Sequence, residues 1–319
     1  MPRWRRDEFD DINPSGDESY ADQFQEWDQG DFAWEEHRRR GTGRRLLGCL
    51  LPVVVVAGVG FGGWKAYEYL GNYFGGETCL LRGDAGEEKL DPEQAANAST
   101  ISTVATQRMN LPPKAAHLGL STAIQESKLR NLTGGDRDSI GLFQQRPSQG
   151  WGTAEQINDP VYSASAFYDV LIEVDSWQTR PLTEVAQEVQ RSGHPDAYAD
   201  HDTEGDIMSD ALTGATTEGV GCRLDPAADG DPAQVATTLR EQTGHRGQTS
   251  ASGVTVTLDD ARSARTIAAW GVTHAAFEDI TTVTLGDREW KRQRGRDGWS
   301  WHAASDPTGS DRVVRITVK

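Results

Sequence analysis

One glutamate lies where a predicted helix ends and a polar loop begins. Glu126 follows a helical stripe of apolar residues, and a glycine-rich polar segment at 131–147 comes shortly after it. Such a segment is typical of a loop or short hairpin that lines a cleft. A partly desolvated carboxyl group at a helix end can keep its proton near neutral pH and act as a general acid and base. The plainer interpretation is that Glu126 is an exposed helix glutamate.

Two short motifs in this region resemble those of a known superfamily. Gln125-Glu126-Ser127, followed by Gly141-Leu142-Phe143-Gln144, resembles the Glu-Ser and Gly-Leu-Met-Gln motifs of lytic transglycosylases and goose-type lysozymes, which belong to the lysozyme-like superfamily. The block that continues from Pro147 to Thr153 is also similar to membrane-anchored proteins of high-GC Gram-positive bacteria. The resemblance covers about residues 91–222.

The resemblance implies a catalytic role for Glu126. A glycosidic oxygen leaves only when it is protonated, so Glu126 would be the general acid and then the general base. In a lytic transglycosylase the same carboxyl group activates the 6-hydroxyl of the sugar, and no second protein carboxylate is required. A hydrolase needs a second carboxylate, for which Asp136 and Asp138 are the local candidates. Goose-type lysozymes carry Gly-Asp before their Gly-Leu-Met-Gln motif, which favours Asp136, although Gly-Asp is also ordinary turn chemistry.

Several polar and aromatic residues are expected to contact the sugar, because amides bind acetamido groups and indole faces stack on sugar rings. The predicted substrate-binding residues are Ser127, Gln144, Gln145, Trp151 and Gln190. The family's third motif, Ala-Tyr-Asn, is not present as such, and Val189 to Gly193 is its predicted counterpart, with Gln190 in place of the Asn amide. A buried or capping amide and a structural tryptophan are the alternatives.

Helical periodicity in the middle of the chain predicts the elements that position these residues. Asp91-Pro92-Glu93-Gln94 has the residues of a capping box, with proline at the first helical position. Further helices are predicted after Pro112-Pro113, after Asp159-Pro160 and from Thr183 to Gln190. The predicted fold class is therefore a mostly α lysozyme-like domain followed by a small α+β C-terminal domain.

The C-terminal part has a different periodicity. Alternation at Val254 to Leu258, at Val283 to Leu285 and at Val314 to Val318 predicts strands, and Ala264 to Phe277 predicts a helix. We expect the tryptophans of this region to fill its core. Along the chain, the sequence predicts a disordered acidic cytoplasmic tail at 1–36, a basic juxtamembrane segment at 37–45 and a transmembrane helix at 46–66. An extracellular linker at 67–90 and the lysozyme-like domain at 91–222 are predicted to follow. A second linker at 223–232 then leads to the α+β domain at 233–319.

An uncharged run from Leu46 to Trp64 is long enough to cross a bilayer. Arginines come directly before it, so the N-terminus is predicted to be cytoplasmic and the C-terminal domains extracellular. A cleaved signal peptide is the alternative, but no convincing cleavage site follows the run. The predicted partners are the lipid bilayer, peptidoglycan glycan strands and a cytoplasmic partner of the acidic tail.

Two cysteines flank the middle region on the predicted external side. Cys79 and Cys222 would lie in an oxidising compartment, where thiols can pair. We therefore expect a disulfide between them; two unpaired buried thiols are the alternative.

Composition excludes other classes of function. The formal net charge of -17 argues against nucleic-acid binding, which needs a basic surface. The sequence has no Cys-x-x-Cys motif and no His-rich tract, and Pro195 interrupts the region of His194 and His201. We expect these two histidines at the surface, no metal site and no cofactor.

Overall fold

The computed structural model describes residues 76–190 and 195–319. These residues contain eight α-helices and nine β-strands, and the strands form two antiparallel sheets. The fold class is therefore mixed α/β, and the predicted mostly α class is wrong. The strands that sequence periodicity missed have three to six residues, and such strands are specified by their neighbours in a sheet more than by their own pattern.

The first sheet closes the middle region. It contains β1 (Thr78–Gly83), β2 (Gly86–Leu90) and β3 (Val220–Arg223), in the order β2-β1-β3. Strands β1 and β2 lie within residues 67–90, which the sequence analysis assigns to a linker. Cys79 and Cys222 face each other in the β1–β3 register and form a disulfide, with their Cα atoms 3.9 Å apart. The predicted disulfide is confirmed.

The helices between β2 and β3 surround the candidate site. They are α1 (Pro92–Thr103), α2 (Pro113–Ser127), α3 (Ala154–Ile157), α4 (Pro160–Leu171), α5 (Leu182–Gln190) and α6 (Asp202–Leu212). A π-helical turn at Val104–Arg108 follows α1, and a 3-10 helix at Pro195–His201 precedes α6. The predicted capping box is confirmed, because Asp91 and Gln94 bond each other's backbone N–H. The sequence analysis missed α3 and α6.

The second sheet forms the C-terminal part. Its order is β4-β5-β9-β6-β7-β8, and every neighbouring pair is antiparallel. The remaining elements are α7 (Pro232–Thr243), β4 (Gln248–Ser250), β5 (Gly253–Thr257), α8 (Ala261–Thr273), β6 (Ile280–Leu285), β7 (Arg288–Lys291), β8 (Trp301–Ala303) and β9 (Val313–Val318). Trp270, Trp290 and Trp301 are buried, as expected for core residues.

One hydrophobic core includes residues of both sheets and of the helices between them. Helix α8 covers the second sheet on one side and contacts α1 and β3 on the other. Trp301 strengthens this junction, since its Nε1–H donates to the carbonyl oxygen of Val220 at 2.7 Å. The junction is therefore packed and hydrogen-bonded.

Across residues 76–190 and 195–319, no helix is both long enough and apolar enough to cross a membrane. The predicted transmembrane helix at 46–66, the acidic tail and the basic segment lie outside the described residues.

Candidate active site

Glu126 lies in the last turn of α2, where the chain reverses sharply. Lys128 and Leu129 both have left-handed backbone conformations, with φ of 56° and 59°. Their backbone N–H groups bond carbonyl oxygens of the last turn, which ends the helix. The Oγ of buried Ser127 lies 3.0 Å from the carbonyl oxygen of Ala123 and 2.7 Å from that of Leu142. Ser127 therefore ties the helix end to the Gly141–Gln144 segment, and its hydroxyl is engaged within the protein.

The carboxyl group of Glu126 is half-buried between two other elements. Tyr198 donates its hydroxyl hydrogen to Oε1 of Glu126 at 2.8 Å. The side chain of Gln190 also hydrogen-bonds the carboxyl group. Burial raises the pKa of Glu126 above its usual value, while the bonds from Tyr198 and Gln190 act in the opposite direction. The balance is a raised pKa, which suits a group that must donate a proton.

Gln190 joins the glutamate to the second motif. Its Nε2 donates to the carbonyl oxygen of Phe143 at 2.9 Å, and the same side chain bonds Glu126. The ring of Phe143 stacks on that of Phe167 with centroids 4.6 Å apart, which fixes this part of the loop against α4. Of the residues predicted to bind substrate, Gln190 is the one that contacts the carboxyl group directly, and it does so as a positioning residue.

Sequence reasoning missed Tyr198, which belongs to the 3-10 helix at Pro195–His201. Its side chain is only 1% exposed, so its hydroxyl is aimed at Glu126 from inside the protein. Ala197-Tyr198 matches the first two residues of the Ala-Tyr-Asn motif. That match is the sequence signal for Tyr198, whereas the predicted counterpart of the motif is Val189 to Gly193.

The glycine of the second motif is required by the backbone. Gly141 has φ of +79°, and a β-carbon there would lie 2.7 Å from the carbonyl oxygen of Ile157. Gln144 has φ of +48°, and its Nε2 lies 3.2 Å from the carbonyl oxygen of Gly141. A bridge between Ile140 and Gln145 closes the loop. The segment is therefore a tight turn beside the end of α2.

The other predicted sugar-binding residues differ in accessibility. Gln145 is buried, and its amide is paired with Ser163, whose carbonyl oxygen accepts from Nε2 at 3.1 Å and whose hydroxyl donates to Oε1 at 3.0 Å. Gln145 is therefore occupied within the fold. Trp151 is half-buried and packs against the core, and its carbonyl oxygen accepts from the Tyr162 hydroxyl at 3.2 Å. Gln144 and Trp151 keep some exposed surface.

The two loop aspartates have different environments. The side chain of Asp136 is 93% exposed, and its Oδ2 lies 3.9 Å from Nε of Arg137. Asp138 accepts from Nε of Arg146 at 2.8 Å and from the backbone N–H of Ser148 at 2.8 Å, which holds the pKa of Asp138 well below its usual range. Asp138 thus closes the loop, and Asp136 is free in solvent apart from a weak ion pair.

His201, which we expected at the surface, is partly buried. Its side chain is 15% exposed, and Nδ1 lies 2.7 Å from Oε2 of Glu204 while Nε2 lies 3.1 Å from Oε1 of Gln125. It therefore fixes the end of the Tyr198 helix against α2. His194 lies outside the described residues. In the described ranges no group of three His, Cys, Asp or Glu residues could hold a metal ion.

No protein-family model matches the sequence, and a search of curated proteins finds no relative. The geometry around Glu126 brings the two short motifs together. These motifs are joined physically, because Ser127 bonds Leu142 and Gln190 bonds both Glu126 and Phe143.

Proposed function

We propose that this protein is a membrane-anchored peptidoglycan glycosidase, and that it is a lytic transglycosylase acting on the β-1,4 bond between N-acetylmuramic acid and N-acetylglucosamine. The observation that carries the proposal is the half-buried carboxyl group of Glu126, whose pKa is raised by burial and whose position is fixed by Tyr198 and Gln190. A carboxyl group held in this way is suited to proton transfer.

The proposed reaction uses Glu126 twice. Protonated Glu126 donates its proton to the glycosidic oxygen as the bond from that oxygen to C1 of N-acetylmuramic acid breaks. The acetamido group of the substrate stabilises the positive charge that develops at C1. The Glu126 carboxylate then removes the proton of the 6-hydroxyl, whose oxygen bonds to C1. The products are an anhydro-muramyl end and a free 4-hydroxyl, and Glu126 is protonated again without the use of water.

The two loop aspartates support this route over hydrolysis. An inverting hydrolase needs a second carboxylate that activates water on the opposite face of the sugar. Asp138 is already bonded to Arg146 and Ser148, and Asp136 extends into solvent. Neither has the environment expected for a general base, whereas a transglycosylase needs only Glu126.

A wall-binding protein without catalytic activity is the second candidate. The two hydrogen bonds to Glu126 each favour its ionised form, which cannot protonate a leaving group. Two of the residues predicted to bind sugar, Ser127 and Gln145, also have their polar groups hydrogen-bonded within the protein. An ionised Glu126 suits a fold that holds glycan without cleaving it, and Gln144 and Trp151 are the predicted sugar contacts that keep exposed surface.

The experiment that separates the two candidates is an analysis of sugar ends. Purified protein is incubated with peptidoglycan, and soluble products are examined by mass spectrometry. Anhydro-muramyl ends are expected for the transglycosylase and reducing ends for a hydrolase. Glu126→Gln should lower the rate at least about a hundredfold, because Gln keeps the volume but cannot transfer a proton. Asp136→Asn, the matched control, should keep most of the activity.

Either of two results would exclude the transglycosylase. Equal loss of activity in Asp136→Asn and Glu126→Gln, with reducing ends in the wild type, would favour an inverting hydrolase. Absence of any product, together with sedimentation of the protein with insoluble glycan, would favour the wall-binding protein. Circular dichroism of each variant verifies that the fold is retained.

The anchor and the topology are part of the proposal. They are supported by the apolar run from Leu46 to Trp64 and by the arginines before it. Protease added to intact protoplasts should remove the region after Trp64 and leave the acidic tail, with its cytoplasmic partner, protected. Loss of the tail with survival of the external part would reverse the topology.

A further inference from the structure

A pocket lies at the junction between the helical region and the second sheet. It is lined by the end of α6, the segment 216–219, α8, the β6–β7 turn and Trp301, and its cavity volume is ≈ 160 Å³. Its inner wall is formed mainly by apolar residues. They include Ala211, Val220, Ala268, Ala269, Leu285 and Trp301. An apolar recess of this kind can accept a compact apolar group.

The wall of this junction pocket is held in place before any ligand binds. Glu218 has a left-handed backbone with φ of 55°, and both of its carboxyl oxygens accept from Arg288. Arg288 also donates from Nη2 to the carbonyl oxygen of Trp301 at 2.8 Å. The bonds from Arg288 hold the Glu218 side chain in one position. The segment 216–219 is thereby fixed to the second sheet.

Charge at the mouth selects the class of ligand. Five charged side chains line the pocket, and the charges of Glu218 and Arg288 offset each other. Arg265 donates from Nε to the carbonyl oxygen of Gly214 at 2.7 Å and lies within electrostatic range of the carboxylate of Asp260.

The other two charged residues of the mouth are both acidic. Asp287 and Asp311 are exposed, and neither forms a salt bridge within residues 76–190 and 195–319. Gly286, which precedes Asp287 in the chain, lies beside Asp311, since a β-carbon at Gly286 would lie 3.8 Å from the Cα of Asp311. Three acidic and two basic side chains line the pocket, so the formal net charge of its lining is -1, and Asp287 also lies within electrostatic range of Arg288.

We propose that this junction pocket binds a small organic cation, with its apolar body between α8 and Trp301 and its ammonium group beside Asp287 and Asp311. A primary amine with a body the size of a phenyl ring satisfies both features. This site is independent of Glu126 and of the proposed glycosidase activity, and it gives the junction between the helical region and the C-terminal sheet a ligand-dependent stability.

Three probes with the same body and different end groups test the proposal. They are 2-phenylethylamine, 2-phenylethanol and 3-phenylpropionate, and their dissociation constants are measured on the full chain by isothermal titration calorimetry. The amine should bind about tenfold tighter than the alcohol, because two exposed ion pairs each add a few-fold in affinity. The carboxylate should bind more weakly than the alcohol. Equal affinities of amine and carboxylate would overturn the proposal, as would no binding of any probe.

Two variants locate the site. The double variant Asp287→Asn and Asp311→Asn should remove the preference for the amine and leave the affinity for the alcohol unchanged. A control that neutralises two exposed aspartates elsewhere, Asp175→Asn with Asp229→Asn, should keep the preference. If the control loses the preference as well, the effect is that of net charge and the proposal fails.

Ala269→Leu should weaken all three probes, because the larger side chain enters the pocket. The double aspartate variant keeps the test decisive if Ala269→Leu does not fold. Undiminished binding to a folded Ala269→Leu variant would place the probes elsewhere and overturn the assignment.

Discussion

His274 is buried where α8 meets α1, and we expect it to destabilise the protein as the pH falls. Its ring is 4% exposed and stacks on Trp270, with centroids 4.6 Å apart. Nδ1 lies 3.0 Å from the carbonyl oxygen of Trp270, and Nε2 lies 3.5 Å from Oγ1 of Thr100. The Thr100 hydroxyl already donates to the carbonyl oxygen of Ala96 or to Oε1 of Gln242, so burial of the ring, and not a lost hydrogen bond, disfavours the charged form.

Burial lowers the pKa of His274 to about 4, from 6.5 for an unperturbed histidine. Below pH 6.5 the unfolded chain binds a proton that the folded protein does not bind, so the free energy of unfolding decreases until the folded group also titrates. Each pH unit is worth about 1.4 kcal/mol, so the loss between pH 6.5 and 4 is about 3 kcal/mol. That loss is a large fraction of the ~5–15 kcal/mol typical of folded domains.

The assay is urea unfolding followed by tryptophan fluorescence between pH 7 and 4.5, on the wild type and on His274→Asn. Asn retains an N–H near the position of Nδ1 but does not titrate. Glu126 and Glu278, whose pKa values are raised by burial, act in the opposite direction and cancel in the difference between the two proteins. His302→Asn changes an exposed histidine and should behave as the wild type.

We expect the wild type to lose stability relative to His274→Asn as the pH falls below 6.5. This expectation would be refuted if the difference in the free energy of unfolding between the two proteins did not change with pH. It would also be refuted if the wild type became more stable relative to His274→Asn as the pH fell. The same slope in His302→Asn as in His274→Asn would show that the effect does not come from the buried ring.

Two further predictions concern the site and the disulfide. Tyr198→Phe should raise the pKa of Glu126, because the substitution removes a hydrogen bond that favours the charged carboxylate. A carbon-13 titration of the Glu126 carboxyl group measures this pKa. Tyr162→Phe is the control, and a lower pKa in Tyr198→Phe would contradict the prediction. Replacing Cys79 and Cys222 by Ala should reduce the free energy of unfolding by about 5 kcal/mol, because the disulfide joins residues separated by 143 positions in the sequence. Denaturant unfolding measures this loss, and a loss below about 1 kcal/mol would contradict the prediction.

The sequence predicted those helices and strands that are specified by residues close together in the chain. Asp91 and Gln94 form the capping box of α1, and prolines begin α2 and α4, because these choices depend on a few neighbouring residues. The three longest strands of the second sheet were also predicted from alternation. The disulfide partners followed from the compartment that the apolar run implies, and the β1–β3 register brings them together.

Tertiary pairing decided the elements that sequence missed. Strands β1 and β2 have no strong alternation, and they are strands because β1 pairs with both β2 and the distant β3. Strand β8 has three residues and gains its conformation from β7. Such pairings are non-local, so a window of neighbouring residues does not contain them, and the fold class changed from mostly α to mixed α/β for that reason.

The candidate site divides in the same way. The sequence by itself determined that Glu126 ends a helix beside a glycine-rich turn, since helix periodicity and glycine are local signals. Only the tertiary structure placed Tyr198, 72 residues away, on its carboxyl group and buried the amide of Gln145. Hydrogen bonds and desolvation depend on atoms brought together by packing, and these decide the pKa of Glu126 and which polar side chains remain available to a ligand.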